Sequence, residues 1–125
     1  VMIGDRFGFG VGISPWPEDF EACQISWEKR GKRMDEMMEI INGLMTGEYF
    51  GYDGEIFQMD PIKLCPVPDF HVPLLVGGHA KPALRRAARL GDGWISAGSS
   101  LNELRDMIGM INWYAENVIK PYRGA

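Results

Sequence analysis

The fold is decided by residues 73–96, PLLVGGHAKPALRRAARLGDGWIS. A short apolar segment precedes Gly77-Gly78, a helical stretch then runs to Gly91, and a second short apolar segment follows. This order predicts a strand, a helix and a second strand. A helix that starts directly after a strand and a double glycine directs backbone N–H groups, and the positive end of its dipole, to one spot. The pattern therefore predicts an anion site, and a phosphate is the usual occupant.

The same alternation of strands and helices extends over the rest of the chain. The hydrophobic pattern predicts strands at 7–12, 72–77 and 93–96, and helices at 27–45, with Ser26 as N-cap, at 80–90 and at 101–118, where Lys120-Pro121 ends the last one. Alternation of this kind is typical of parallel strands covered by helices. A complete β/α barrel has eight strands and about 250 residues. We therefore expect an α/β fold in which the 125 residues form one domain, an incomplete segment of a (β/α)8 TIM barrel.

The first predicted strand carries glycine at every second position. Phe7, Phe9 and Val11 alternate with Gly8, Gly10 and Gly12, so one face of the strand has no side chains. Because glycine weakens a strand, such a face indicates either close approach of a backbone or flat ligand, or crowding in a packed barrel or against a helix. The third glycine of a dinucleotide-binding fingerprint is missing, so the motif does not support a Rossmann fold.

Two segments interrupt the alternation. Residues 13–20 contain Pro15 and Pro17 and are predicted to form a loop, at the end of a strand where it can form one wall of a site. Residues 48–59 match two short strands joined by a two-residue type I′ turn at Asp53-Gly54. This hairpin is expected to be an insertion outside the main sheet.

Charge and composition narrow the class of partner. The net charge is −4, which argues against a nucleic-acid or anionic-membrane surface and favours a small-molecule substrate. Cys23 and Cys65 lie far apart without a CxxC motif, so neither a metal site nor a disulfide is expected. The sequence has no apolar run of the roughly 18 residues that a membrane span needs, and no signal peptide, so the expected location is cytoplasmic.

The chain resembles the luciferase-like monooxygenase family, and within it the branch of oxidoreductases that use the deazaflavin coenzyme F420. The resemblance follows family order over nearly the whole chain. It is carried by RFGFGVG at 6–12, EDF at 18–20, WEKRGKRMDE at 27–36, LMTG at 44–47, DGEIF at 53–57, VGGH at 76–79 and ALRRAARLGDGW at 83–94.

The resemblance implies a barrel with a hairpin insertion and a cofactor at the C-terminal ends of the strands. It implies that the end of the first strand and the following loop line the cofactor cavity, and that the double glycine and the next turn contact the phosphate-bearing tail. The implied cofactor-binding residues are Gly12, Ile13, Ser14, Glu18, Val76, Gly77, Gly78 and His79. The family's strands that precede Val1, and the strand that follows the last helix, fall outside this segment, so no catalytic residue is assigned.

The implied activity is the transfer of a hydride, or two electrons, between F420 and a small organic substrate. One alternative is an FMN-dependent monooxygenase of the same family that uses oxygen. A second is a non-catalytic truncated fragment, or a half-barrel that works only by assembly with another copy as a homodimer. A third is a different phosphate-binding barrel enzyme, which explains Gly77-Gly78 and leaves the other motifs unexplained.

Overall fold

A computed structural model describes residues Gly4–Ile119. The elements, in chain order, are β1 (Phe9–Val11), α1 (Pro17–Ala22), α2 (Arg30–Leu44), β2 (Phe50–Asp53), β3 (Gln58–Ile62), β4 (Leu74–Gly77), α3 (Lys81–Leu90), β5 (Gly93–Ile95) and α4 (Leu101–Tyr114). A 3₁₀ turn at Gly4–Arg6 precedes them, and a π-helical turn at Ala115–Ile119 extends α4. The helix stop predicted at Lys120-Pro121 lies outside the described residues.

The described residues divide into two compact units. One contains Ile13–His71 with the Gly4–Arg6 turn, and the other contains Phe7–Gly12 and the chain from Val72 onward. In the second unit β1, β4 and β5 form a sheet in that order, and both neighbouring pairs are parallel. The predicted α/β alternation is confirmed. Within the described residues the sheet is open, as expected for an incomplete barrel segment.

One face of this sheet is covered by α3. Side chains alternate along β4, and Leu74 and Val76 are only 2% and 1% exposed. Leu84 and Ala87, one turn apart on α3, are buried as well. These four apolar side chains form the core of the second unit. The strand therefore presents Leu75 and Gly77 on its other face.

The register between β4 and β5 is held by a reciprocal pair of hydrogen bonds. The Leu74 N–H donates to the Asp92 carboxylate Oδ2 at 2.8 Å, and the Asp92 N–H donates to the Leu74 carbonyl at 2.8 Å. Asp92 lies immediately before β5, so the pair aligns Leu75 with Gly93 and Gly77 with Ile95. Both strands consequently end at the same edge of the sheet.

The alternating glycines lie in β1 (Gly10) and directly on either side of it (Gly8 and Gly12), because the strand is shorter than the predicted 7–12, and they lie on the face opposite α3. A Cβ built on Gly8 or Gly10 would lie 3.6 Å from its nearest neighbour, and one on Gly12 would lie 4.0 Å away. These are ordinary van der Waals distances. Crowding by the described residues therefore does not explain this glycine face.

The hairpin of the first unit is confirmed, but the predicted two-residue turn is wrong. Strands β2 and β3 pair antiparallel, with Asp53 opposite Gln58, so four residues, Gly54 to Phe57, connect them. The Gly54 N–H donates to the Phe57 carbonyl at 2.8 Å and closes this loop. A type I′ turn would have left the loop's other N–H groups in a different orientation, whereas here they converge on one carboxylate.

That carboxylate is Glu36 of α2, whose side chain is fully buried. Glu36 Oε1 accepts the N–H of Glu55 at 2.9 Å, and Oε2 accepts those of Ile56 at 3.0 Å and Phe57 at 2.9 Å. Burial raises the pKa of Glu36, but these hydrogen bonds, with the charge of Lys32 at 3.5 Å, outweigh it, so the pKa lies below its ordinary value. The ionised carboxylate therefore fastens the hairpin loop to α2.

The predicted start of α2 and the predicted extent of the loop at 13–20 are also wrong. Helix α2 begins at Arg30 after Lys29, whose φ of 55° is left-handed, whereas Ser26 Oγ accepts the Glu28 N–H in a preceding turn at 3.1 Å. The Arg30 guanidinium lies 3.6 Å from the centre of the Trp27 ring and stabilises this irregular entry. The predicted loop at 13–20 contains the start of α1, because Pro17 occupies the first helical turn, where its missing N–H costs nothing.

We expect Glu36→Gln to lower the thermal unfolding midpoint of the protein at pH 7. The amide keeps one acceptor oxygen, but its NH₂ group would face backbone N–H groups that donate to the carboxylate in the wild type. The matched control is Glu48→Gln, an exposed position with the same change of charge. Equal midpoints for the two variants, measured by circular dichroism, would contradict the proposed role of Glu36.

The effect of Glu36→Gln should shrink in acid. Because the folded-state pKa of Glu36 lies below the ordinary 4.5, its ionisation stabilises the fold above that value, and this stabilisation is lost as the pH falls through the folded pKa. The midpoint difference between wild type and variant, measured from pH 7 down to pH about 3, should therefore decrease. A difference that grows on acidification would have the wrong sign.

Candidate functional site

The C-terminal edge of the parallel sheet brings three of the predicted residues together. Val76 and Gly77 end β4, and Gly12 directly follows β1 beside them. A Cβ on Gly12 would lie 4.0 Å from both the Gly77 Cα and its carbonyl oxygen. The Val76 side chain is buried in the core, so only its main chain is available at this edge. The accessible surface here is therefore largely backbone.

Gly78 adopts a conformation that glycine alone takes readily. Its φ is +119°, and a Cβ would lie 3.0 Å from the Cβ of Ala83. The indole N–H of Trp94 donates to the Gly78 carbonyl at 2.8 Å. Because the peptide unit is planar and trans, this bond directs the His79 N–H away from Trp94. Trp94 therefore sets the orientation of the peptide that follows the double glycine.

The start of α3 offers fewer N–H donors than the sequence pattern predicts. Ala80 is the N-cap residue and has no polar side chain, while Pro82 has no N–H. The N–H groups of Ala83 and Leu84 donate to the Ala80 carbonyl at 2.8 and 3.1 Å. An anion at this helix start therefore depends on the N–H of Lys81 and on those of the preceding turn.

His79 is exposed and joins two loops. Its Nε2 accepts the N–H of Ala97 at 3.1 Å, and the Ser99 hydroxyl lies 3.4 Å from the same nitrogen. Its ring meets the Trp94 ring edge to face, with centroids 6.1 Å apart. Because Nε2 accepts a backbone N–H, the neutral ring carries its proton on Nδ1. Only Nδ1 can then donate to a ligand.

The start of α4 already holds a carboxylate. Ser100 and Glu103 form a capping box, in which Glu103 Oε2 accepts the Ser100 N–H at 2.9 Å and its hydroxyl at 2.7 Å. These bonds from Ser100 lower the pKa of Glu103 below its ordinary value, and they outweigh the opposing effect of desolvation. A second anion at this helix start would be repelled. The α3 side of the edge is the better place for one.

The remaining predicted residues, Ile13, Ser14 and Glu18, belong to the first unit. Ser14 Oγ donates to the Asp19 carboxylate and accepts the Trp16 N–H at 3.2 Å, so this hydroxyl stabilises the loop itself. Ile13 is half-buried, and Glu18 is exposed in the first turn of α1. Their place in a cofactor site stays a prediction.

The structure adds Trp94, Ala97 and Glu103 to the residues of this edge. Sequence reasoning missed them because they lie beyond the double glycine by 16 residues or more in the chain. One signal was available, since Ser100 and Glu103 have the spacing of a capping box. The contacts of Trp94 and Ala97 depend on strand register, which the sequence does not display.

Two further properties concern metal and membrane binding in the part of the chain that the structure describes. No cluster of three or more His, Cys, Asp or Glu side chains able to hold a metal ion occurs there. In the same residues, every helix is too short or too polar to cross a lipid bilayer.

The family model for luciferase-like monooxygenases matches residues 1–121. The chain belongs to this family. The match covers both units, including the glycine strand, the hairpin and the edge formed by Gly12, Gly77 and Gly78. The membership predicted from the sequence motifs is thereby confirmed.

Three relatives illustrate the range of this family. An uncharacterized protein of Mycobacterium tuberculosis is 48% identical over 120 residues, which are 96% of this chain and 41% of the relative. The 5,10-methylenetetrahydromethanopterin reductase of Archaeoglobus fulgidus is 41% identical over 90 residues, 72% of this chain and 26% of the relative. The F420-dependent glucose-6-phosphate dehydrogenase of Nakamurella multipartita is 30% identical over 100 residues, 77% of this chain and 27% of the relative. The chain thus spans well under half the length of these relatives.

Solved structures share the fold. An F420-dependent secondary alcohol dehydrogenase in complex with an F420–acetone adduct superposes with a TM-score of 0.75 at 21% identity, over 91% of this chain and 36% of that one. A monooxygenase from Streptomyces bottropensis also has a TM-score of 0.75, at 23% identity, over 88% of this chain and 35% of that one. The predicted fold class, a segment of a luciferase-like barrel, is confirmed.

We expect Gly78→Ala to destabilise the second unit. A φ of +119° is unfavourable for any residue with a Cβ, and the added methyl would press on Ala83. The free energy of unfolding in urea should fall by about 1–3 kcal/mol.

Gly109→Ala is the matched control for this change. Gly109 lies within α4, and a Cβ there would have nothing within 4 Å. Alanine should raise the free energy of unfolding by up to about 1 kcal/mol, because it is the better helix former. If both variants unfold at the same urea concentration, the backbone of Gly78 is not constrained as described.

Proposed function

We propose that this chain is part of an oxidoreductase that transfers a hydride between coenzyme F420 and a small organic substrate. Family membership supports the general class of reaction. The named cofactor is supported by 30% identity to an F420-dependent dehydrogenase over 77% of this chain. The whole protein's activity and substrate are proposals, because this chain covers only part of its relatives.

The observation that carries the proposal is the backbone-lined edge at Gly12 and Gly77. The two glycines adjoin where parallel strands end, which is where ligands bind in α/β folds. A phosphodiester can approach such an edge closely, because no Cβ stands in its way. The uncapped start of α3, with the His79 peptide turned by Trp94, adds donors suited to that charge. These residues fit the phosphate-bearing tail of a cofactor.

The protein's own contribution is to bind, orient and exclude water. When bound, F420 supplies the hydride chemistry. We assign the main chain of Val76, Gly77, Gly78 and His79 to the tail. Gly12, Ile13, Ser14 and Glu18 stay predicted residues of the cofactor cavity. The catalytic proton donor is not assigned to any of these positions.

An FMN-dependent monooxygenase is the second candidate. It is favoured by membership of the luciferase-like monooxygenase family. Both cofactors carry a phosphate on a flexible tail, so the edge described above fits either. A homodimer and a cytoplasmic location stay predictions.

Equilibrium dialysis of the purified chain against F420 and against FMN tests the proposal. We expect the chain to retain F420, measured by absorbance, and to bind it more tightly than FMN. Gly77→Ala should weaken retention about tenfold, which corresponds to about 1.4 kcal/mol, because its methyl group lies where the tail approaches. The methyl itself fits the fold, at 3.5 Å from the Val11 carbonyl.

Gly8→Ala is the matched control, since it adds the same methyl on the same face, 3.6 Å from Leu75, immediately before β1 and away from the C-terminal edge. It should leave retention unchanged. Tighter binding of FMN than of F420 would favour the monooxygenase. Retention of neither cofactor would refute cofactor binding by this chain and support the reading as a non-catalytic fragment.

A further inference from the structure

Two loops meet at the C-terminal edge of the parallel sheet. We refer to residues 78–80 as the glycine loop and to residues 96–100 as the serine loop. The glycine loop joins β4 to α3, and the serine loop joins β5 to α4. The aligned ends of β4 and β5 bring the loops together, and side chains that reach from one loop to the other then hold them in place.

The main bridge between them is the imidazole of His79. Its Nε2 accepts the Ala97 N–H at 3.1 Å, and the hydroxyl of Ser99 lies 3.4 Å from that nitrogen. Ser99 is in turn 2.9 Å from the hydroxyl of Ser96, so the serine loop is linked internally as well. A loop without helix or strand pairing must find partners for its N–H groups elsewhere. For Ala97 the partner is a side chain of the glycine loop.

Trp94 keeps the bridging ring in place. The indole packs edge to face on the His79 ring, and its N–H holds the carbonyl of Gly78. The peptide before His79 and the ring of His79 are thus both fixed by one residue of β5. An exposed histidine would otherwise sample several rotamers, at a cost in entropy when it orders.

We propose that His79 is a positioning residue: through Nε2 it holds the serine loop beside the double glycine, and the affinity of this edge for a phosphate-bearing ligand depends on that join. The inference rests on the proposed function for the identity of the ligand. In this role Nε2 forms its hydrogen bond with the protein and not with the ligand. A direct ligand contact through Nε2 would need a proton on that nitrogen, and the bond from Ala97 would then be lost.

Two substitutions distinguish a positioning role of His79 through Nε2 from direct ligand contact through Nδ1. In His79→Gln the terminal amide lies near the position of Nε2, so its oxygen can accept the Ala97 N–H. In His79→Asn the amide reaches only the position of Nδ1, so a donor near Nδ1 is kept and the acceptor for Ala97 is lost. A positioning role predicts that glutamine restores function and asparagine does not. Direct ligand contact through Nδ1 predicts the reverse.

The first measurement is hydrogen exchange of the Ala97 amide, without any ligand. Wild type and His79→Gln should protect this amide, and His79→Asn should exchange it about fivefold faster or more, the factor that one net hydrogen bond contributes. The matched control is His71→Asn, which changes the other histidine of the chain and lies in the first unit. It should leave Ala97 exchange unchanged.

The second measurement is the dissociation constant for F420, from fluorescence titration of the same four proteins. It should rise about fivefold in His79→Asn and stay within about twofold of wild type in the glutamine variant and the His71 control. The inference is overturned if Ala97 is unprotected in wild type, if asparagine preserves protection, or if asparagine binds F420 as well as glutamine does. If wild type binds no F420 while the exchange pattern is as expected, the proposed function fails and the positioning of the serine loop stands.

Discussion

The reciprocal hydrogen bonds between Leu74 and Asp92 fix the register on which the second unit depends. Parallel strands lack a tight turn to align them, so their register must come from another contact. Here the Asp92 carboxylate and N–H bind both polar groups of the first residue of β4. A shift of one residue would turn the buried Leu74 and Val76 toward the opposite face. The same register carries β5 far enough for Trp94 to reach the Gly78 carbonyl.

The candidate site follows from this alignment. Strands β4 and β5 end together, so their loops meet. At the adjoining ends of β1 and β4, Gly12 and Gly77 each carry only a hydrogen atom as side chain. The two neighbouring helix starts then differ in charge. The capping box of α4 contains the Glu103 carboxylate, whereas α3 begins at Lys81 after Ala80 and has no carboxylate in its first turn. An anionic ligand is thereby directed toward the glycine side of the edge.

The sequence predicted the order and type of the main elements because periodicity and glycine positions are local signals. The strand, helix and strand between Leu74 and Ile95 illustrate this, as does the existence of the hairpin. It mispredicted features that depend on distant partners. The hairpin loop has four residues because Glu36, far away in the chain, binds its N–H groups. The roles of Trp94 and Ala97 were likewise hidden, since both are set by strand register.

The attachment of the hairpin through Glu36 has a consequence for sequence drift. The carboxylate holds residues 55–57 by main-chain N–H groups alone, which every amino acid except proline possesses. The attachment therefore does not depend on which side chains these three residues carry. Gly54, in contrast, must stay glycine, because a Cβ there would lie 2.4 Å from Glu36 Oε2. The tip of this insertion can thus diversify among relatives while one glutamate and one glycine keep its place.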